Sequence, residues 1–369
     1  MILDEVDPGS RAVLERYGFD AERFEELRRR VIAGQLKAQA NVVHGRVEPL
    51  PESLVTMLPS PGSPGYAEAR ETGLEALRAG LVAVVVLAGG MATRFGGVVK
   101  GLVDAVDGRS FLEIKLGSVA ELGSAVGVDV PLALMTSFST DEPTRAFVAE
   151  RGLGDPIFFT QFVAPRLELD GSVFRGADGS ASLYGPGHGD LVEALRTSGT
   201  AARLRELGVR HVLVSNVDNL GARLDVVVVG VHVLAGRPVT TEVAIREGDV
   251  GGAPVLVDGR PRLLEGPQFP PGFDVERLTV FNTNTATIDL DVFEQEPELS
   301  WLYVEKDVDG RRAVQLERLY HEVASLFPTT FLQVPRTGPR GRFLPIKVPA
   351  DLERSRDAIR EMLAAPPDA

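Results

Sequence analysis

Short runs of apolar residues alternate along much of the chain with stretches in which apolar positions recur at helical spacing. The uncharged runs, each bounded by turn residues, predict buried β-strands at residues 81–87, 131–136, 157–160, 211–215 and 279–288. Segments with apolar residues at helical spacing lie between these runs, for example at residues 191–207, and predict helices. Strands that alternate with helices are typical of an α/β fold, so we predict a mostly parallel sheet of the doubly wound type.

The first 80 residues have a mostly helical pattern. Phe24 and Leu27 begin a series of apolar positions at helical spacing, which predicts a helix that packs on the main body. A segment rich in Pro, Gly and Ser at residues 58–65 precedes a second helix, which we expect to end near Gly80. Residues 349–363 also read as a helix. We therefore expect an N-terminal helical segment, a core and a C-terminal segment, at residues 1–80, 81–290 and 291–369.

Two further segments carry local signals. Asp258-Gly259 lies between two apolar runs, which predicts a β-hairpin that we expect to extend the main sheet. Residues 226–234 are rich in valine, a β-branched residue, and this composition alone favours a strand.

The first predicted strand runs directly into a glycine-rich turn. Residues 84–100 read VVVLAGGMATRFGGVVK, in which Gly89 and Gly90 precede Arg94 and Lys100. Paired glycines let the backbone approach a ligand closely, and their free N–H groups bind anionic oxygens. The basic residues favour a phosphate-binding loop over an ordinary tight turn. Neither G-x-G-x-x-G nor a P-loop motif is present, which argues against a dinucleotide-dependent dehydrogenase and a Walker-type NTPase.

Composition excludes several classes of protein. The chain has no cysteine, so disulfides, thiolate metal ligands and a cysteine nucleophile are excluded, and we expect a cytoplasmic location. A net charge of −13 argues against a nucleic-acid polymer or an anionic membrane as partner. We expect neither a signal peptide nor a membrane span, because no apolar run has the required position or length. An anionic substrate therefore needs a locally basic pocket.

Polar clusters follow other predicted strands, at the edge of the sheet where ligands bind. Gln161 follows one strand, and His188 lies between glycines just before a helix. Asn216 and Asp218 follow the strand at 211–215, and one carboxylate there suits Mg²⁺ when phosphates supply the remaining ligands. Each cluster has a simpler interpretation, namely a surface amide, a structural histidine or a turn with Asx caps.

Two more segments carry unusual polar residues. Asn282 and Asn284 lie inside a predicted strand, where asparagine is depleted, so they indicate hydrogen bonding to a specific group. The segment from Arg340 to Lys347 is basic. It either reaches a second phosphate or forms a surface loop.

These motifs, in this order, resemble the UTP–glucose-1-phosphate uridylyltransferase (UDP-glucose pyrophosphorylase) family of eukaryotic type. The closest matches are PGHGD at 186–190, NVDNLGA at 216–222, FNTN at 281–284 and RFLPIK at 342–347, with weaker similarity at 251–252 and 263–265. The resemblance covers residues 81–352 and implies a Rossmann-like sheet of the nucleotide-diphosphosugar transferase (GT-A-like) type. It also implies a helix at 226–234, which we therefore expect there.

The activity that this resemblance implies is Mg²⁺-dependent conversion of UTP and a sugar 1-phosphate to UDP-sugar and pyrophosphate. The sugar 1-phosphate that we expect first is glucose 1-phosphate. Two alternatives stay open. One is a UDP-N-acetylglucosamine or broad-specificity UDP-sugar pyrophosphorylase, and the other is a non-catalytic nucleotide-sugar sensor. Eukaryotic members continue after the residue corresponding to Lys347 into a β-helix through which they assemble. Since this sequence ends soon after Lys347, we do not transfer their oligomeric state, and monomer or dimer is left open.

The resemblance also implies roles for individual residues. Nucleotide binding falls to Leu87, Gly89, Gly90, Gln161 and Gly187. Binding of the sugar phosphate falls to Asn216, Gly252, Glu265, Asn282 and Asn284. The resemblance implies that the catalytic residues, which contact the reacting phosphates, are Lys100, Arg94, His188 and Lys347. It also implies that Asp218 binds the metal.

Three positions depart from the family pattern. Ala92 stands where glycine is usual, and the residues beside Lys100 lack the usual Pro-Lys or Lys-Ser pairing. Thr285 replaces the asparagine expected after Asn284. The first two departures bear on the shape of the nucleotide loop, and the first motivates the sensor alternative. The third bears on the identity of the sugar.

Overall fold

The computed structural model describes residues 2–92, 96–249 and 251–365, with only the backbone of Ala92. Its α-helices are α1 (Pro8–Arg16), α2 (Ala21–Ile32), α3 (Tyr66–Arg78), α4 (Phe111–Val126), α5 (Asp141–Arg151), α6 (Asp190–Thr197), α7 (Thr200–Glu206), α8 (Val226–Ala235), α9 (Leu290–Glu294), α10 (Val323–Leu326) and α11 (Pro349–Ala364). None of these helices combines the length and the apolar content that crossing a bilayer requires.

The described residues also form nineteen β-strands. They are β1 (Val47–Pro49), β2 (Val55–Met57), β3 (Val82–Leu87), β4 (Met91–Ala92), β5 (Val98–Val99), β6 (Asp104–Val106), β7 (Arg109–Ser110), β8 (Leu132–Thr136), β9 (Ile157–Thr160), β10 (Ala164–Pro165), β11 (Leu183–Tyr184), β12 (His211–Asn216), β13 (Val239–Ile245), β14 (Ala253–Val257), β15 (Arg260–Leu264), β16 (Val280–Asp289), β17 (Leu302–Val308), β18 (Arg311–Glu317) and β19 (Thr329–Gln333). The five strands predicted from apolar runs correspond to β3, β8, β9, β12 and β16.

Eight strands form the central sheet in the order β2-β19-β13-β16-β12-β3-β8-β9. All of them run parallel except β16, which is antiparallel to both of its neighbours. The prediction of a mostly parallel α/β sheet is therefore confirmed. The first 80 residues are not purely helical, since they supply β2 to one edge of this sheet and β1 to a smaller one.

Helices cover both faces of the central sheet. Alternate residues of β3 enter different apolar clusters: Val84 packs with α3, α4 and α8 on one face, and Val85 packs with α6 and α7 on the other. Every residue of β3 is buried, as a strand covered on both sides requires. This arrangement fixes the carboxyl ends of β3 and β12 at one edge of the sheet, where the polar clusters follow.

Two predictions about local structure are wrong. The Asp258-Gly259 hairpin forms, but β14 and β15 pair with β1 in a separate three-stranded sheet and do not extend the central one. The helix predicted at 191–207 is two helices, α6 and α7. Gly199 breaks it with a φ of +78°, in the left-handed region, where an α-helix cannot continue.

The valine-rich segment at 226–234 is helical, as expected from the family and against its β-branched composition. Asp225 caps α8 by accepting hydrogen bonds from the N–H groups of Val227 and Val228 at 2.8 and 3.1 Å. The helix also packs closely on α3, where a Cβ on Gly73 would lie 2.7 Å from the carbonyl carbon of Val226. Capping and burial together outweigh a helix propensity that is lower by only a few tenths of a kcal/mol per residue.

Candidate functional site

A cleft of about 230 Å³ opens where the loop after β12 meets β16 and the segment before α11. Its lining includes many of the residues predicted for the site, which the sequence distributes over more than 150 positions. These residues are His188, Asn216, Asp218, Gly252, Glu265, Asn282, Asn284 and Lys347. The chain therefore brings most of the separate motifs to one place.

Asp218 connects the two ends of the predicted site. Its carboxylate forms an ion pair with Lys100 Nζ, and the backbone N–H of Lys100 donates to Gly90 O at 3.2 Å, so this lysine stays beside the glycine turn. On the other side, Ile346 N–H donates to Asp218 O at 3.2 Å. This bond places Lys347, the next residue, at the same cleft. The two lysines thus flank one loop and do not lie on opposite surfaces.

Asn219 holds the basic segment against the loop after β12. Its side-chain amide donates to Arg342 O at 3.2 Å and accepts from Leu344 N–H at 2.8 Å. A β-bridge also joins Asn219 to Pro345. The NVDNLGA and RFLPIK motifs are therefore two sides of one structural unit.

Arg342 does not reach the cleft as a free cation. Its guanidinium is buried and forms two hydrogen bonds with Glu242, Nε to Oε2 at 2.7 Å and Nη2 to Oε1 at 2.6 Å. Nη2 also donates to Arg223 O at 2.9 Å. Of the basic segment, Lys347 remains as the cation at the cleft, and Arg342 supports the loop from below.

A buried lysine supports the same loop from the helix side. Lys115 Nζ donates to Ser215 Oγ at 3.1 Å and to Ala222 O at 2.6 Å, so it joins the end of β12 to the loop that follows it. Burial, together with the nearby charge of Arg342, lowers the pKa of Lys115 to about 7. The sequence analysis did not single out Lys115 or Glu242, because nothing in the sequence marks which charged residues are buried.

The two asparagines inside β16 form a local hydrogen-bond network. Asn284 adopts a φ of +58°, a conformation that asparagine tolerates better than most residues, and its N–H donates to Asn282 Oδ1 at 3.0 Å. Asn284 Nδ2 donates to Asn216 Oδ1 at 3.1 Å, and the hydroxyl of Tyr320 donates to Asn284 O at 2.9 Å. The network links β16 to the end of β12 across the floor of the cleft.

Glu265 is a largely buried carboxylate at the wall of the cleft. Burial raises its pKa to about 7, although hydrogen bonds from Gly252 and Asn282 favour the charged form. The Glu265 carboxylate packs against the backbone of residue 252. Glycine is required there, because a Cβ on Gly252 would lie 2.7 Å from the carboxyl carbon of Glu265. Gly252 O accepts in turn from Asn282 N–H at 2.7 Å.

His321 lines the cleft and was missed in the sequence analysis. Its side chain is 3% exposed, and its Nε2 lies 3.1 Å from Glu265 Oε1 without the alignment of a hydrogen bond. Burial and the neighbouring His188 keep the pKa of His321 well below its usual range, so the ring is neutral. Buried polar atoms are rarely left without a hydrogen bond, so His321 Nε2 is a candidate for bonding to a ligand in this cleft.

His188 is held in one tautomer by the backbone. Its Nδ1 accepts from Tyr320 N–H at 3.2 Å, which leaves the proton on Nε2, and burial lowers the pKa of His188 to about 4. Gly187 has a φ of +96°, and a Cβ there would lie 2.7 Å from Arg318 O. Asp190, at the start of α6, binds Arg318 Nη2 at 2.6 Å. The PGHGD motif therefore presents a neutral hydrogen-bond donor on a rigid loop.

The residues predicted for nucleotide binding lie beside this cleft. Gln161 fits between two glycines: a Cβ on Gly89 would lie 3.2 Å from its carboxamide carbon, and a Cβ on Gly185 would lie 2.8 Å from the same atom. Leu87 ends β3, and Gly90 has open space at its Cβ position. Gly187 belongs to the same loop as Gly185. Arg94 lies outside the described residues.

Ala92 has its backbone in β4, where it pairs with Val98 of β5. Strand pairing requires an extended backbone with negative φ, which alanine adopts without strain. Alanine at this position therefore carries no strain from a positive φ.

The residues at the cleft also suit a magnesium ion. Asp218 offers a carboxylate that forms an ion pair with Lys100. The Asp218 side chain is partly exposed. Within the described ranges, no group of three His, Asp or Glu ligands converges at this cleft. Mg²⁺ commonly binds through one or two carboxylates, with phosphates and water completing the octahedron, so the donor set fits.

Comparison with known proteins agrees with this arrangement. The family model described as UTP–glucose-1-phosphate uridylyltransferase matches residues 21–360. Curated relatives of that name from Solanum tuberosum and Saccharomyces cerevisiae are 31% identical over 287 and 293 residues. Each alignment covers 73% of this chain but 60% and 58% of the relative, so the chain spans about three fifths of their length.

Solved structures show the same fold. The UDP-glucose phosphorylase of Trypanosoma brucei has a TM-score of 0.71 at 26% identity, over 92% of this chain and 76% of that chain. A variant of the UDP-glucose pyrophosphorylase of Leishmania major, solved with UDP-glucose, has a TM-score of 0.66 at 26% identity, over 84% and 71%. The family match extends over most of the sequence and includes every element that builds the cleft. The chain therefore belongs to the UTP–glucose-1-phosphate uridylyltransferase family.

Proposed function

We propose that this protein is a uridylyltransferase, which converts UTP and glucose 1-phosphate to UDP-glucose and pyrophosphate. The observation that carries the proposal is the position of Lys100 and Lys347 on either side of Asp218, beside a cleft rich in groups that bind hydroxyls. Membership of the family supports it, as do the UDP-glucose enzymes among the structural neighbours.

The chemistry requires little beyond positioning and charge neutralisation. The phosphate of glucose 1-phosphate is already an anionic nucleophile, so no general base is needed. Its oxygen forms a bond to the α-phosphorus of UTP, while the bond from that phosphorus to the oxygen bridging the β-phosphate breaks and pyrophosphate leaves. Two anions must meet for this displacement, and fixed positive charges lower the barrier by reducing their repulsion.

Lys100 and Lys347 supply those charges in the proposal. Lys100, beside the glycine turn, contacts the triphosphate, and Lys347 contacts the phosphates from the opposite side of the loop. Arg94 is assigned to the triphosphate from its place in the glycine-rich turn. His188 donates from Nε2–H to the sugar phosphate as a neutral group, because its low pKa keeps it uncharged near neutral pH.

The uridine would lie between the glycine turn and the loop before α6. Gly89 and Gly90, with Leu87, receive the nucleotide in this proposal; Gly90 leaves open space beside the backbone, and Gly89 lets the Gln161 carboxamide approach closely. The carboxamide of Gln161 has both a donor and an acceptor, which matches the N3–H and carbonyl oxygen of uracil, and Gly187 completes this edge.

Mg²⁺ is the proposed cofactor, held by the carboxylate of Asp218. When bound, the ion neutralises charge on the phosphates. Asp218 and Lys100 carry opposite charges and pair with each other here. A complex of metal and triphosphate offers a new partner to each of them.

The sugar would occupy the cleft between Glu265 and the asparagines of β16. Glu265, Asn282 and the backbone of Gly252 suit its hydroxyls, and Asn216 and Asn284 suit the oxygens nearer the phosphate. His321 Nε2 adds one more group beside Glu265. We do not favour N-acetylglucosamine 1-phosphate as substrate, since the relatives that establish the family are named for glucose 1-phosphate.

The test of this function is release of pyrophosphate from UTP and Mg²⁺ with a panel of sugar 1-phosphates. We expect kcat/KM to be at least about 10-fold higher for glucose 1-phosphate than for the galactose and N-acetylglucosamine compounds, as hydroxyl-reading sites discriminate at this level or better. Equal rates on all three would refute glucose preference. Calorimetric binding of UDP-glucose without any turnover would instead support the sensor alternative.

Glu265→Gln is expected to separate function from stability. The folded-state pKa of about 7 lies above the ordinary value of 4.5, so the carboxyl contributes stability that is present below about pH 4.5 and is lost as pH rises through 7. Glutamine does not ionise, so its contribution to stability does not change over this pH range. The unfolding free energy of the variant relative to the natural protein should therefore rise by up to about 3 kcal/mol between pH 4.5 and 8.

Urea denaturation at the two pH values measures this difference, and the same preparations are assayed for turnover of glucose 1-phosphate. A variant that gains stability at pH 8 but loses activity identifies Glu265 as a ligand-binding group. A pH-independent difference in stability would show that the carboxyl is not held in its protonated form by burial.

A further inference from the structure

Three potential metal ligands converge at the edge of the sheet opposite the cleft. His211 is the first residue of β12, and Asp289, its register partner, is the last residue of β16. His232 lies in the last turn of α8. Since the polar end of β12 is at the cleft, this cluster is roughly 16 Å away along the strand, at about 3.3 Å per residue. It takes no part in the site described above.

The side chains aim their donor atoms at one point. Asp289 Oδ1 lies 2.6 Å from His211 Nδ1 and 2.9 Å from His232 Nε2. All three ligand atoms lie within 4.8 Å of one another, and these residues form the one such group found in the described part of the chain. His232 is 1% exposed, His211 15% and Asp289 32%, so the cluster is anchored inside and open to water at the carboxylate.

A partner outside the cluster orients the buried ring. His232 Nδ1 lies 2.9 Å from Thr240 Oγ1, on β13. The hydrogen bond from Nε2 to the Asp289 carboxylate places the ring proton on Nε2; in a metal complex that proton would move to Nδ1, which would donate to the Thr240 hydroxyl and leave the Nε2 lone pair for the ion. Histidines that bind metals commonly have their other nitrogen fixed in this way, which sets the tautomer and the ring orientation.

The spacing of the donors permits a metal after a small movement. An ion bound at about 2.0–2.1 Å from each donor in a tetrahedral site keeps the donors about 3.3 Å apart. The present hydrogen bonds are shorter by less than 1 Å. His211 and Asp289 are partly exposed while His232 is buried, so we expect the first two side chains to make this adjustment.

We propose that His211, His232 and Asp289 form a binding site for a first-row divalent transition metal ion, with Zn²⁺ as the expected occupant. Two imidazoles and one carboxylate are a donor set that these ions prefer over Mg²⁺ or Ca²⁺. Water completes the coordination at the open side. Such an ion would join β12, β16 and α8 and stabilise the folded state by binding it in preference to the unfolded chain.

The test is a titration of the full-length, chelator-treated protein with Co²⁺ and then Zn²⁺. We expect one equivalent of Co²⁺ to give visible d–d absorption bands of a four- or five-coordinate ion with nitrogen ligands, and Zn²⁺ to displace it. His211→Ala and Asp289→Asn, chosen because both side chains are partly exposed, should each weaken Zn²⁺ binding at least 10-fold in calorimetry. They should also abolish the metal-induced rise in Tm.

Two controls decide between a built site and incidental binding. His44→Ala removes an exposed histidine elsewhere and should leave the spectrum and affinity unchanged. Asp218→Asn should do the same, because the cleft is distant. Absence of a Co²⁺ spectrum in the natural protein, or binding that survives in both cluster variants, would overturn the proposal and leave a hydrogen-bonded His-Asp-His group. No part of this test depends on uridylyl transfer.

Discussion

Lys347→Met should lower kcat/KM for uridylyl transfer by about 10³-fold, because loss of one fixed charge or donor at a phosphoryl-transfer site costs on this order. The fold should hardly change. Lys347 is exposed, and its ammonium has no ion-pair partner within the described residues, since only its backbone N–H is bonded, to Asp351 Oδ2 at 2.9 Å. Surface substitutions of this kind usually alter stability by less than about 0.5 kcal/mol.

The matched control is Lys306→Met. Lys306 is also an exposed lysine, but it lies on β17 and pairs with Glu317 at 3.5 Å, away from the cleft. It should retain nearly full activity. A steady-state pyrophosphate assay and thermal unfolding, run on both variants, separate the catalytic effect from a structural one. Full activity in Lys347→Met would remove the main support for the proposed mechanism.

Lys100→Met tests the other cation of the pair. Its effect has two parts, since it removes a charge from the triphosphate side and leaves Asp218 without its ion-pair partner. We therefore expect a loss similar to that of Lys347→Met together with altered Mg²⁺ dependence. In the double variant the losses should not simply add, because residues that act on the same transition state are coupled.

The sequence predicted the sheet well because its signals there are local. Strand β3 is an uncharged apolar run, and burial on both faces is what such a run requires. The glycine turn and the Asn216–Asp218 cluster follow strands directly. In a parallel sheet, the carboxyl ends of neighbouring strands meet at one edge, so their proximity could be inferred before the structure was known.

Features that depend on distant partners could not be inferred in this way. The Asp258-Gly259 turn specified a hairpin, but nothing local indicated that β14 would pair with residues 47–49. The valine-rich composition of residues 226–234 favours a strand. The segment is nevertheless the helix α8, because it is buried against α3 and capped by Asp225. Gly199 marked the break between α6 and α7, but a single glycine in a helical pattern is a weak signal.

The buried charges under the site were the least predictable part. Glu242 is the one charged residue of β13, and Lys115 lies on an apolar face of α4. Their pairing with Arg342 and with a backbone carbonyl is visible only in three dimensions. His321 has no motif around it, and only the structure shows its unpaired Nε2 beside Glu265.

Arg342→Met is expected to be the most destabilising of the substitutions considered. It leaves the fully buried carboxylate of Glu242 without its partner, and an uncompensated buried charge costs about 3–5 kcal/mol. Urea denaturation gives the unfolding free energy directly. Arg354→Met, which removes an exposed arginine paired with Asp351, is the control and should cost no more than about 1 kcal/mol.

A double variant that removes both charges of the Arg342–Glu242 pair separates the cost of an unpaired buried charge from the loss of support for the loop. The double variant Arg342→Met/Glu242→Leu has no buried charge at this position, so it should recover most of the stability, as apolar replacement of buried ion pairs commonly does. Its activity should nevertheless stay low, because Arg342 also holds the loop through Arg223 O at 2.9 Å. Recovery of both stability and kcat would mean that the pair only stabilises the fold. Recovery of stability alone would show that this buried pair positions Asp218 and Lys347 for the reaction.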